Sequence, residues 1–198
     1  MTDPTMTTVT AIVLAGGRSS RFGGDKLAAE IGGRSLLDLA IDGARAVADD
    51  VVVVLAPGDA RIVGDRARTV ADREAHGGPL VGLAAGLEVA AEPIALAVGG
   101  DMPSLDPDVL GLMVRTLVAA GDGVAAVILE QRGRPVPLPA VVRTGTATDV
   151  AGRLVADGER SLRALFERLP TRVVAEGEWR PLDPAALTLR DVDLPSDL

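Results

Sequence analysis

The segment Leu14-Ala15-Gly16-Gly17-Arg18-Ser19-Ser20-Arg21-Phe22-Gly23-Gly24-Asp25-Lys26 holds the residues best suited to chemistry. Glycines directly after a strand let backbone N–H groups approach an anion closely. Arg21 and Lys26 follow with side-chain positive charge, the combination that a polyphosphate requires. The spacing differs from a P-loop, because Lys26 follows Asp25 and Leu27 stands where a Ser or Thr would ligate a metal. The dinucleotide fingerprint G-x-G-x-x-G is absent as well. Lys26 is the only lysine among 20 basic residues. A turn loop with surface charges is the plainer reading of such a glycine cluster taken alone.

Carboxylates supply the complementary chemistry. Asp101 follows an apolar run through Gly99 and Gly100 and precedes Met102-Pro103. Mg²⁺ is a hard ion held by few carboxylates plus substrate phosphates, and Asp101 suits it; a helix cap or turn is the alternative. Asp72 ends a short run before Gly77-Gly78-Pro79 and also reads as a strand-end turn residue. Asp191 and Asp193 alternate, which puts both on one face of an extended segment. His76 stands alone, and the chain has no cysteine, so zinc, iron–sulfur and thiol chemistry are excluded.

Positioning these groups calls for an α/β framework. Val9–Ala15, Val51–Leu55, Arg68–Ala71, Ile94–Val98 and Val124–Leu129 read as strands, the longer ones largely apolar. Leu36–Val47, with Ser35 or Asp38 as cap, Leu80–Ala90, a stretch from about Asp106 to Ala119, and Ser161–Leu169 read as helices. Asp59–Arg66 reads as loop with some helix, and Gln131–Pro139 as an Arg-, Gly- and Pro-rich connection before a strand at Val141–Arg143. Uniformly apolar strands alternating with helices predict a three-layer, Rossmann-like, mostly parallel sheet of about six or seven strands with helices on both faces. A single domain over residues 1–198 is expected, with no linker and no repeat.

Composition bounds the partners. Twenty Lys+Arg against 28 Asp+Glu give a formal charge of −8, which disfavours nucleic acid as a partner. Only Phe22, Phe166 and Trp179 are aromatic, too few for a base-stacking platform. No run is long enough to span a bilayer, and Met1–Thr10 carries no secretory pattern, so a cytoplasmic location without membrane attachment is expected. Trp179 reads as packing a late loop onto the core, with stacking on a substrate ring as the alternative. Arg132, Arg134 and Arg143 read as a solvated basic loop or as contacts for a second anionic substrate.

The pattern L-A-G-G-x-S-x-R-x-G-x-D-K at Leu14–Lys26 resembles the MobA-like nucleotidyltransferases. Further pieces follow in that family's order: Asp72 ahead of Gly78-Pro79-Leu80-Val81-Gly82-Leu83, then Gly100-Asp101-Met102-Pro103, Arg134–Arg143, and Asp191-Val192-Asp193-Leu194-Pro195. The resemblance runs from Val9 to Leu198. It implies a fold of the nucleotide-diphospho-sugar transferase type. Leu14, Ala15, Gly16 and Gly17 would hold the nucleotide, with Arg21 and Lys26 on its phosphates. Asp72, Gly78, Pro79 and Leu80 would lie near base and ribose, and Asp101 and Asp193 would hold Mg²⁺. Lys26, Arg21 and Asp101 would carry the catalysis. The implied reaction transfers GMP from GTP to the phosphate of molybdopterin, by a monomer or weak homo-oligomer. Two departures stand out: Leu194 replaces the usual Thr, and Ala56-Pro57 stands where members often carry Asn. The second keeps a cytidylyl- or sugar-phosphate nucleotidyltransferase open as an alternative, beside a non-catalytic nucleotide-binding protein.

Overall fold

The computed structural model describes residues 8–16, 22–72, 74 and 77–198. Its elements in chain order are β1 (Val9–Ala15), β2 (Glu30–Ile31), β3 (Arg34–Ser35), α1 (Leu36–Arg45), β4 (Asp50–Leu55), β5 (Arg68–Ala71), α2 (Pro79–Val89), β6 (Ile94–Gly99), α3 (Pro107–Ala119), β7 (Ala126–Gln131), β8 (Arg134–Arg143), α4 (Thr144–Ala156), α5 (Leu162–Arg168), β9 (Thr171–Val174) and α6 (Glu176–Trp179). Seven strands form one sheet in the order β5-β4-β1-β6-β8-β7-β9, and β2 pairs with β3 as a small separate ribbon. Four of the sheet's six pairings are parallel; β8 runs antiparallel to both β6 and β7.

Side-chain alternation splits the core into two layers. Val9, Ala11, Val13, Leu96, Val98, Val127 and Val141 join α1, α3 and Trp179 on one face. Ile12, Val54, Ala95, Ala97, Ile128, Ala140 and Val142 join α2, α4 and α5 on the other. Strands buried on both faces need apolar residues at every position, which is why they read as continuous runs. The expected three-layer α/β architecture is what the chain adopts.

Helix α2 is apolar around its whole circumference because it lies between the sheet and α4. It approaches β1 closely through Gly86, where an added Cβ would sit 2.4 Å from Cγ2 of Ile12. Helix α1 is capped by Ser35, whose Oγ accepts from the Asp38 amide at 3.1 Å. The Pro-rich stretch is not a loop. Residues 134–143 form one ten-residue strand paired with β7 through a bulge at Ile128/Leu129. Its partner β6 covers only Ala140–Arg143, so the Pro135–Pro137 end is an edge, where prolines are tolerated without a lost ladder bond.

Candidate active site

Strand β1 leads through α1 to β4 on one side, and β5 leads through α2 to β6 on β1's other side. The chain therefore reverses direction between β1 and β6, and the crevice outside their carboxyl ends is the usual ligand position in such sheets. Gly16 follows β1 and Gly100-Asp101 follows β6. The Gly100 amide donates to the Leu14 carbonyl at 2.9 Å, drawing the two strand ends together.

A cavity of about 540 Å³ opens there, lined among others by Leu14, Gly16, Asp72, Gly78, Pro79 and Asp101. That volume suits a nucleotide-sized ligand. Asp72 is only 8% exposed. Its Oδ1 accepts from the Glu74 amide at 3.3 Å, and its Oδ2 lies beside Gly16 and Gly82. Gly78 adopts φ +91°, a left-handed conformation, against the Arg160 backbone and Cβ, and it starts α2 with Pro79 as the first helical residue. Leu80 is fully buried and its amide donates to the Arg160 carbonyl, so it supports the site from below. Ala15 is buried in the opposite core layer.

Lys26 opens a short 3₁₀ turn, Lys26–Ala28, capped by Asp25, whose Oδ1 accepts from the Leu27 amide at 3.2 Å. Leu27 packs against Gly100. The ammonium bridges two carboxylates: Oδ2 of Asp101 at 2.7 Å and Oδ1 of Asp193 at 2.9 Å. The Lys26 side chain is 12% exposed, those of Asp101 and Asp193 31% and 53%. Loss of solvent pulls the ammonium's pKa down, but hydrogen bonds and charge from Asp101 and Asp193 outweigh it and hold it above 10.5. The neighbouring Asp191 carboxyl is raised, first by loss of solvent and then by the Asp193 and Asp101 charges, against the opposing pull of Lys26.

The last segment reaches this point as a strap along the sheet's edge. Trp179 is fully buried and its Nε1–H donates to the Glu130 carbonyl at 2.9 Å, so it anchors the strap and presents no face for stacking on a substrate. Asp183 accepts from the Thr188 amide at 2.7 Å, and the Thr188 Oγ1 accepts from the Asp106 amide at the start of α3. Val192 is buried and its amide donates to the Asp101 carbonyl at 3.1 Å. Asp197 Oδ2 accepts from the Asp193 and Leu194 amides, closing the turn that holds Asp193.

The structure thus brings Leu14, Gly16, Lys26, Asp72, Gly78, Pro79, Asp101 and Asp193 to one edge of the sheet. Gly17, Arg21 and His76 lie outside the described residues. Arg143 is not at the site: its guanidinium donates to the carbonyls of Leu117 in the last turn of α3 and of Gly121 and Val124 beyond it. Val54 and Leu138 also line the cavity and were given no site role from sequence: Val54 sits inside an apolar strand pattern, and Leu138 in the Pro-rich stretch. Among the described residues no three Asp, Glu or His side chains form a ready-made metal cage.

Residues 11–173 match the model of the MobA-like NTP transferase domain. The chain belongs to that family. A molybdenum cofactor guanylyltransferase of Desulfosudis oleivorans is 31% identical over 196 residues, 98% of this chain and 94% of the relative. Molybdopterin-guanine dinucleotide biosynthesis protein A of Archaeoglobus fulgidus has the same fold, with TM-score 0.78 at 22% identity over 95% of this chain and 94% of its own. The 2-C-methyl-D-erythritol 4-phosphate cytidylyltransferase of Thermus thermophilus shares it at TM-score 0.66 and 21% identity, over 94% and 93%. This MobA-like chain is a nucleotidyltransferase, and the crevice at the β1 and β6 ends is its candidate active site.

Proposed function

We propose that this transferase moves GMP from GTP to the terminal phosphate of molybdopterin, releasing pyrophosphate. Its near-full-length similarity to molybdenum cofactor guanylyltransferases supports the choice of substrates. One observation carries the chemistry: the Lys26 ammonium is held by Asp101 and Asp193 beside a glycine-floored cavity at the sheet's switch point.

In the reaction an oxygen of the acceptor's phosphate bonds to the α-phosphorus of GTP as the bond to the β-phosphoryl oxygen breaks. A phosphate monoester is an oxyanion near neutral pH, so no general base is needed. The residues' work is placement and charge compensation. Lys26 donates to the phosphate chain and balances charge building on pyrophosphate, helped by Arg21 and by backbone amides where β1 ends at Leu14–Gly16 and Gly17 follows. Asp72, Gly78, Pro79 and Leu80 shape the base and ribose end.

Asp101 and Asp193 would hold Mg²⁺: two hard oxygen donors converge on one cationic point, and their exposure would leave room for waters and phosphate oxygens beside them. When bound there, Mg²⁺ would neutralise phosphate oxygens and align the reacting groups. Without it the two carboxylates repel unless Lys26 lies between them. Lys26 and Mg²⁺ therefore share one acidic pair.

Residues 1–198 act as one transferase domain, in the cytoplasm, as a monomer or weak homo-oligomer. Among the described residues no helix is long and apolar enough to cross a membrane. Ala56, whose backbone lies beside Gly16, stands where the family resemblance leads one to expect Asn, which favours testing CTP as the second donor. The test measures pyrophosphate release from each of the four NTPs with molybdopterin and Mg²⁺. GTP-selective turnover that is lost with EDTA supports the proposal. Equal rates with CTP, or turnover without divalent metal, would overturn the donor or the metal assignment respectively.

A further inference from the structure

We infer that Arg61 is a positioning residue for Lys26, acting through Asp25. This rests on the proposed phosphate-binding role of Lys26. The guanidinium Nη2 of Arg61 reaches both carboxylate oxygens of Asp25, at 3.1 and 2.9 Å, and Oδ2 of Asp59 at 3.3 Å. Asp25 Oδ1 at the same time accepts from the Leu27 amide and so caps the turn that Lys26 opens. One carboxylate therefore fixes the lysine's backbone, and one arginine fixes that carboxylate.

Gly23, at φ +76°, and Gly24 lead into the turn, and among the described residues, chain neighbours aside, neither has an atom within 4 Å of where a side chain would begin. Leu27 anchors the turn to Gly100, the Ala29 amide donates to the Lys26 carbonyl at 3.1 Å, and the Asp25 cap fixes the Lys26–Leu27 peptide. The loop that presents Arg61 is itself folded for the purpose. The Asp59 amide donates to the Ala56 carbonyl at 3.0 Å, and Asp59 Oδ1 accepts from the Arg61 amide at 3.0 Å. That loop leaves β4 beside Gly16, so a single segment touches the nucleotide loop at Ala56 and the Lys26 turn at Arg61.

The arrangement does not look built for stability. Asp25 is 51% exposed, and an ion pair that is open to water contributes little. The Nε–H of Arg61 is buried with no acceptor among the described residues, a desolvation penalty carried by a side chain whose other end grips two carboxylates. Removing the guanidinium should therefore cost catalysis while sparing the fold.

The experiment compares Arg61→Met, Arg61→Lys and Asp25→Asn, each with native Lys26 and with Lys26→Ala, by pyrophosphate release from GTP with molybdopterin. Asn keeps an oxygen for the Leu27 amide but loses the charge that holds Arg61. Arg61→Met and Asp25→Asn should each lower kcat/KM about tenfold, part of the roughly 10²-fold that misplacing a catalytic group by 1 Å costs. Arg61→Lys should recover part of the loss, and urea midpoints should stay near wild type. In the Lys26→Ala background Arg61→Met should have no further effect, because residues acting as a unit are not additive. A second readout uses the chain's single lysine: ¹³Cε-lysine labelling gives one signal, which should shift on adding GTP in the wild type and respond less in Arg61→Met. Wild-type kcat/KM in Arg61→Met, or a tenfold loss that persists undiminished without Lys26, overturns the inference while leaving the Lys26 role intact. Unchanged kcat/KM in Lys26→Ala alone overturns both.

Discussion

Asp193 and the strap that carries it separate two contributions that deletion of the C-terminus would otherwise mix. Asp193 is 53% exposed and pairs with Lys26 at 2.9 Å. An exposed pair contributes about 0.2–1 kcal/mol to folding. Val192, one residue earlier, is fully buried and donates its amide to the Asp101 carbonyl. Burying a valine contributes about 1.5–3 kcal/mol, and the hydrogen bond about 0.5–1.5 kcal/mol. Deleting residues 191–198 should therefore destabilise the protein by roughly 2–4.5 kcal/mol on those magnitudes. At an m-value of about 2 kcal/mol/M the urea midpoint falls by about 1–2 M. Asp193→Asn should move it by less than about 0.5 M. Activity should order differently, because Asn keeps the fold but loses the charge facing the metal. A loss of about 1 kcal/mol in Mg²⁺ binding raises the Mg²⁺ midpoint of pyrophosphate release roughly fivefold. The assays are urea denaturation followed by tryptophan fluorescence and a Mg²⁺ titration of turnover, for wild type and both variants. An unchanged Mg²⁺ midpoint in both variants would falsify the two-carboxylate site. An unchanged urea midpoint in the truncation would refute the account of the strap.

Three further outcomes follow from the same contacts. Lys26→Ala should lower turnover by about 10² or more, as for other lost transition-state donors, and Lys26→Arg should not restore it, because a planar fork does not replace a compact ammonium between two carboxylates; recovery of wild-type rate by arginine would count against the site. Asp183 suffers from burial but is held below its usual 3.8 by the amides of Thr188 and Leu187 and the Thr188 hydroxyl. A carboxyl depressed in the folded state contributes stability that is present above its unfolded pKa and lost as pH falls through the folded value. Urea stability should thus decline below about pH 4, and Asp183→Asn should be less stable at neutral pH with a flatter acid limb; parallel profiles would contradict this. Gly86→Ala places a methyl 2.4 Å from Ile12 Cγ2 and 3.1 Å from Val54 Cγ2 in a closed core. Overpacking of about 1–3 kcal/mol should exceed the roughly 1 kcal/mol gained in helix propensity, so the midpoint should fall.

Much of the architecture was legible because each local pattern has one structural reading. The runs at Val51–Leu55 and Ile94–Val98 are apolar at every residue, and Val9–Ala15 at every residue but Thr10, as strands covered on both faces require. Ser35 before Leu36 marked a helix start through its side-chain acceptor. The Pro-rich stretch at Pro135–Pro139 misled because proline normally argues against a strand. Here it lies at an edge, and that is fixed by how far β6 extends, not by the residues themselves. Trp179 gave no indication of its partner, since an indole N–H can be satisfied by any carbonyl the fold supplies.

The site divides along the same line. The sequence by itself determined that a glycine-rich, cationic loop follows the first strand and that Asp101 ends a buried one, because strand ends and turn glycines are written locally. Only the tertiary structure decided that Lys26 meets Asp193, 167 residues away, and that Arg61 grips Asp25. Those meetings depend on the reversal of strand order beside β1 and on a strap pinned by Trp179, Thr188 and Val192. No periodicity encodes the distance between two charges that the chain's path around a sheet brings together.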